Sequence, residues 1–149
     1  MSRYPLVCSL RQGIFFTEMN QAQQKSNQEE LMVRSINRAS RSVRCLPFKK
    51  AFYQRVAQKA MASEELVQRT DWRELVFAPF GESRAEDHFI WLIKLGILRR
   101  EVDGQGLTKK VRLTPLGEEV IGQWIGEIPR AGIRERIYEN FLRHKSKIL

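Results

Sequence analysis

At 149 residues and 42% hydrophobic composition, with three Trp and eight Phe, the chain can bury one core with an appendage and is too apolar to remain unfolded. Its net charge of +9 is uneven, being +8 over residues 1–62, −2 over 63–126 and +3 over 127–149. A basic balance of this kind draws nucleic acid, acidic proteins or anionic membranes by long-range field, while no apolar run approaches the roughly 20 residues of a membrane helix.

The opening segment Pro5–Leu10 is too short and too weakly charged in front for a signal peptide, so a cytoplasmic protein is expected. Cys8 and Cys45 match no metal-ligand spacing, and His88 and His144 stand alone, so two free thiols and no metal are expected. The Gln-rich stretch Asn20–Asn27 reads as a linker. Ser26 and Glu29 then match a capping box that opens a helix over about Gln28–Val43. That helix places Arg34, Arg38 and Arg41 on one face, with Arg44 following, and their mutual repulsion would be relieved by an anionic partner.

Pro47 suits the first turn of the next helix, where Phe48, Phe52, Val56 and Ala60 recur every four residues as a core face. Ser63 caps a second, short helix with Glu64 and Glu65 in its first turn. Thr70–Gly81, carrying Trp72, Phe77 and Phe80, predicts a packed, partly helical connector. Ser83 with Glu86 forms a second capping box, and the helix it opens turns Phe89, Leu92 and Ile93 to one side before Gly96 ends it. Asp103–Gly106 is a turn signal between the strands Ile97–Val102 and Leu107–Leu113. Thr114 caps a further helix with Pro115 at its first position, Glu118 and Glu119 near its positive end, and Leu116, Val120 and Trp124 as its buried stripe. The last helix runs from Ala131 to about His144. Its apolar set Ile133, Ile137, Tyr138, Phe141 and Leu142 covers a wider arc than one neighbour needs.

With Asp103–Gly106 as a four-residue loop, Val102 faces Leu107 and Leu98 faces Val111. The same register sets Arg100 against Lys109 and Arg99 against Lys110. Opposed like charges destabilise a ladder, so an anionic partner is expected at the hairpin. On the third helix the outward arc holds Arg84, Asp87, Trp91 and Lys94, with His88 and Leu95 at its margin. Asp87 and Glu86 would repel phosphates and Trp91 is bulky for groove readout, so Trp91 is expected either to anchor a protein contact or to pack under the connector. No nucleophile–base pairing, phosphate loop or acid dyad appears, and neither an enzyme nor a small-molecule ligand or cofactor is expected.

Helix, short helix, helix, hairpin, helix is the element order of a winged helix. Phe89–Arg100 resembles the third helix and first wing strand of such domains, and the run Val111-Arg112-Leu113-Thr114-Pro115-Leu116-Gly117-Glu118 is similar to the second strand and following helix of MarR-like and PadR-like regulators. The resemblance covers about half of the chain, and the chain as a whole resembles small uncharacterised cyanobacterial proteins, a likeness that supplies no function. It implies a mainly helical α+β protein: a winged helix-turn-helix at residues 47–126 with a two-stranded wing, a basic N-terminal segment at 1–46 and a dimerisation helix at 127–149. It further implies a DNA-binding protein, a small transcriptional regulator acting as a homodimer on double-stranded DNA. Arg99, Arg100, Lys109, Lys110 and Arg112 would then hold phosphates, Arg84 would contact a base, and Arg38, Arg41, Arg44, Lys49 and Lys50 would extend the basic surface. Ile133, Ile137 and Phe141 would form the dimer contact. The alternative is a winged-helix protein-interaction module without sequence-specific DNA binding, with Trp91 and the apolar connector as its contact surface.

Overall fold

The computed structural model describes residues 8–148, with side chains from 19 to 145. The segment Pro5–Val7 and the side chains of Cys8 and Ile14–Phe16 lie outside the described residues. The chain divides into two units, residues 1–35 and 36–149. The described residues are mainly helical with one two-stranded antiparallel sheet, an α+β arrangement as the sequence predicts.

Helix α1 spans Cys8–Cys45 without interruption, which overturns both the expected linker at Asn20–Asn27 and the helix start at Ser26. No Gly or Pro occurs between Ile14 and Leu46, and Gln, Glu, Met and Ala are good helix formers, so polarity alone does not break the helix. In the first unit, residues 19–35 are exposed and Arg34 pairs with Glu30 one turn earlier. In the second unit, Ile36, Ala39, Val43 and Leu46 are buried at helical spacing in the main core.

Helix α2 (Lys50–Gln58) begins two residues later than its apolar period suggests, because Phe48 is held extended against Val76. Lys49 N–H donates to Leu75 O at 2.8 Å and Phe77 N–H to Pro47 O at 2.9 Å. Phe48, Phe52 and Phe89 form the aromatic centre of the core, with Phe48 and Phe52 stacked at 4.2 Å between ring centroids. Helix α3 (Ser63–Gln68) starts after Ala62, so Ser63 is its buried first residue and not its cap. Helix α4 (Trp72–Leu75) is the helical part of the expected connector.

Helix α5 (Glu82–Lys94) follows Gly81 and makes no side-chain cap, so the Ser83–Glu86 capping box does not form. Its end does follow the sequence: Gly96 has φ 78°, a left-handed conformation that glycine adopts at least cost. Strands β1 (Leu98–Asp103) and β2 (Gly106–Leu113) form the hairpin. Met61, between α2 and α3, joins β2 through a reciprocal pair of backbone hydrogen bonds with Val111, at 3.1 and 2.9 Å. Thr114 caps α6 (Pro115–Gly122) by accepting from Gly117 N–H at 3.0 Å, as predicted. A Cβ added to Gly117 would lie 2.5 Å from Ile97 O and 2.7 Å from Leu113 Cδ1, so this helix approaches the strands as closely as it does only with glycine there. Helix α7 (Ile133–Ile148) ends the described chain.

The hairpin register corrects the expectation over most of its length. Val102 faces Leu107 as anticipated, but Asp103 already pairs with Gly106, leaving a two-residue turn at Gly104-Gln105. Beyond the tip the partners shift to Arg100↔Val111, Arg99↔Arg112 and Leu98↔Leu113. The shift places Thr108–Lys110 of β2 opposite the single residue Glu101, a bulge secured by Thr108 Oγ1 donating to Glu101 O at 2.9 Å. Strict alternation would have put Leu113 out of register with Leu98. Because the shift is by two residues every side chain keeps its face, and Leu98, Val111 and Leu113 are buried together.

Candidate nucleic-acid interface

The bulge rearranges the cations of the hairpin. Arg100 is not opposed to Lys109: its guanidinium pairs with Glu86 of α5 and also donates to Lys109 O at 2.6 Å. Arg112 donates to Glu101 at 3.0 Å. Both are therefore neutralised within the chain, Arg100 as a tie between hairpin and helix and Arg112 within the ladder. Arg99, Lys109 and Lys110 are exposed and make no ion pair with a described residue. The predicted like-charge oppositions of Arg100 with Lys109 and Arg99 with Lys110 do not exist. One such opposition does, between Arg99 and Arg112, and Glu101 offsets it.

The outward arc of α5 also changes composition. Trp91 is 7% exposed and His88 8%, so both face the body of the protein and neither offers a free surface. The Arg143 guanidinium of α7 lies over the Trp91 ring at 5.9 Å and sits 2.8 Å from His88 Nδ1. Because arginine has only donors, Nδ1 of His88 is the acceptor in this contact. Arg84 and Lys94 are exposed, and Ile90 takes the outward position expected for Trp91. Arg84 lines a cavity with Arg130, Arg136 and Arg143.

The basic residues after α1 have structural tasks. Arg44 donates to Pro129 O at 3.1 Å and lies 3.9 Å from Glu135. Lys49 donates to Arg73 O at 2.8 Å and sits over the Phe77 ring. Lys50 donates from its side chain to Trp124 O, while its backbone N–H reaches Glu127 at 2.6 Å. These three bind the α1–α2 corner to the segments around residues 73–75 and 124–135, and so are not free members of a basic surface. Arg38 and Arg41 are exposed.

Helix α7 reverses the usual amphipathic arrangement. Its polar edge faces the body: Glu139 is 5% exposed and accepts from Ser42 Oγ at 2.9 Å, one turn before Arg143. Its apolar edge faces outward, with Ile133, Ile137, Tyr138 and Phe141 at 73, 66, 58 and 67% exposure. The sequence offered one signal for the polar contact, the i, i+4 spacing of Glu139 and Arg143, but nothing that named Ser42 or His88 as partners. Cys45 is a free thiol beside this contact, and burial together with Glu139 and Glu135 pushes its pKa up, away from nucleophilic reactivity at neutral pH.

No helix among the described residues is long and apolar enough to cross a membrane. The chain belongs to the Npun_F0494-like family, whose sequence model matches residues 29–143. No curated protein and no solved structure matches the chain.

Proposed function

We propose that this protein is a DNA-binding protein, a small transcriptional regulator built on a winged helix-turn-helix and working as a homodimer. The observation that carries the reading is the state of the wing: Arg99, Lys109 and Lys110 stand exposed on a bulged hairpin while their neighbours Arg100 and Arg112 are paired internally. A bulge re-aims side chains out of the regular ladder. Three cations presented this way suit a phosphate backbone, where each contact releases a condensed counterion. The element order supports the same reading, with α2, the Met61 bridge to β2, α3, α5 and the hairpin following one another as in a winged helix.

The footprint is smaller than the sequence suggests. Arg100, Arg112, Arg44, Lys49 and Lys50 are bonded within the chain and leave it, and Arg84 leaves it for the cavity beside α7. Glu82, Glu86 and Asp87 on α5 make that helix a poor reader of base edges, so the interaction is with duplex backbone more than with sequence. The exposed face of α7 supports a homodimer, since Ile133, Ile137 and Phe141 lie on one edge and are left exposed by the described residues. The alternative protein-interaction reading loses Trp91, which is buried, and keeps only the apolar connector as its contact surface.

Fluorescence anisotropy with a random-sequence duplex tests the reading. Binding should weaken steeply with salt, with a log–log slope near −0.9 per phosphate contacted. Undetectable binding at low salt would overturn it.

A further inference from the structure

The cavity lined by Arg84, Arg130, Arg136 and Arg143 has a composition that neither the wing nor the α7 face accounts for. It lies between the 78–80 segment, the first half of α5 and α7, and encloses about 500 Å3, within the range of about 300–1,000 Å3 typical of small-molecule sites. Among the described residues that line it, Asp87 is the one carboxylate facing the four guanidinium groups. His88 Nδ1 lies 2.8 Å from the Arg143 guanidinium and accepts from it. Arg84, Arg130 and Arg136 form no ion pair with a described residue, and Arg130 rests its guanidinium 4.3 Å from the centre of the Phe77 ring.

Four arginines gathered around a concavity repel one another, and the structure meets only part of that cost. Arg143 is partly desolvated, with Asp87 and Glu139 as its nearby negative charges, and Glu139 is already engaged by Ser42. A single carboxylate ligand would leave most of the excess charge in place. A phosphate group carries close to two negative charges and three oxygens that match the planar guanidinium fork. Phe80 and Pro79 form an apolar wall against which the organic part of such a molecule would rest.

We infer that this cavity is a binding site for a small phosphorylated molecule, held by Arg84, Arg130, Arg136 and Arg143. The site is independent of the DNA reading, since none of these four residues belongs to the wing.

The test is calorimetric titration of the full chain with inorganic pyrophosphate at fixed ionic strength. One pyrophosphate should bind per chain. Arg84→Gln and Arg136→Gln should each weaken it at least tenfold without moving the thermal midpoint of the unliganded protein, because both side chains are exposed. Lys109→Gln with Lys110→Gln should leave the affinity unchanged. The inference falls if millimolar pyrophosphate gives no binding, if the wing variant loses as much affinity as the cavity variants, or if acetate binds as well as pyrophosphate. It also falls if duplex DNA displaces pyrophosphate from the wild type and from the wing variant alike, which would make the cavity part of a nucleic-acid footprint.

Discussion

Arg99 and Arg112 are direct partners across the β1–β2 ladder, and only Arg112 has a carboxylate, Glu101, at 3.0 Å. The pair shows how the hairpin sorts its cations. One member is neutralised and serves the strand, and the other is left with its full charge at the surface. Arg100, tied to Glu86, and the free Lys109 and Lys110 repeat the division.

Replacing Arg99, Lys109 and Lys110 together by Ala is expected to flatten the salt dependence of duplex binding by about 2–3 in log–log slope, at about 0.9 per lost phosphate contact. Arg112→Ala alone should change the slope by much less, because its charge is already balanced by Glu101. Equal effects from the two variants would show that the sorting has no bearing on binding. Anisotropy titrations at several salt concentrations read both.

Gly117→Ala is expected to destabilise the fold by about 2–3 kcal/mol, the upper part of the overpacking range. The new Cβ meets a backbone oxygen, Ile97 O, at 2.5 Å, and no rotamer change moves that atom. Urea unfolding measures the loss. A change below about 0.5 kcal/mol would mean that α6 shifts away from the strands freely.

Tyr53 is fully buried, and among the described residues its hydroxyl has no hydrogen-bond partner. Tyr53→Phe removes an unsatisfied polar group and is expected to stabilise the protein by about 1 kcal/mol at neutral pH. Burial alone also holds the phenol well above its ordinary value. The unfolded chain ionises near pH 10 and the folded one does not, so this group's contribution to stability is full below that pH. Above it the contribution falls by about 1.4 kcal/mol per pH unit. The difference in unfolding free energy between wild type and Tyr53→Phe, measured from pH 8 to 11, should widen accordingly. A constant difference would refute the assignment.

If the proposed homodimer forms through α7, Ile137→Asp is expected to convert it to a monomer while leaving the thermal midpoint of the isolated chain nearly unchanged, because the side chain is 66% exposed. Sedimentation equilibrium separates the outcomes. A wild type that is monomeric at every concentration would remove the dimer from the proposed function.

Three local signals in the sequence held where a residue's chemistry acts on its own backbone, while the caps expected at Ser26 and Ser63 did not form. Thr114 with Pro115 opened α6, Gly96 closed α5, and Asp103–Gly106 turned the hairpin, because capping and left-handed turns depend on neighbours in the chain. The signals failed where another segment competed for the same group. Glu86 had a capping role available at Ser83 and instead pairs with Arg100, and Phe48 had a helical period and is instead held extended by Val76.

The wing and α7 mark the same boundary at the level of the site. The sequence by itself determined that a basic hairpin follows an amphipathic helix and that the last helix has two chemically distinct edges. Periodicity specifies which residues share an edge, but a helix with one apolar and one polar edge is the same string whichever edge is buried. Only the tertiary structure decided that Glu139 and Arg143 turn inward to Ser42 and His88 while Ile133, Ile137 and Phe141 turn out. The hairpin follows the same logic, since a bulge that shifts the pairing by two residues keeps every side chain on its face and is invisible to alternation. The bulge is settled by how two strands pair, and beside it Arg99, Lys109 and Lys110 stand at the surface with no ion pair to a described residue.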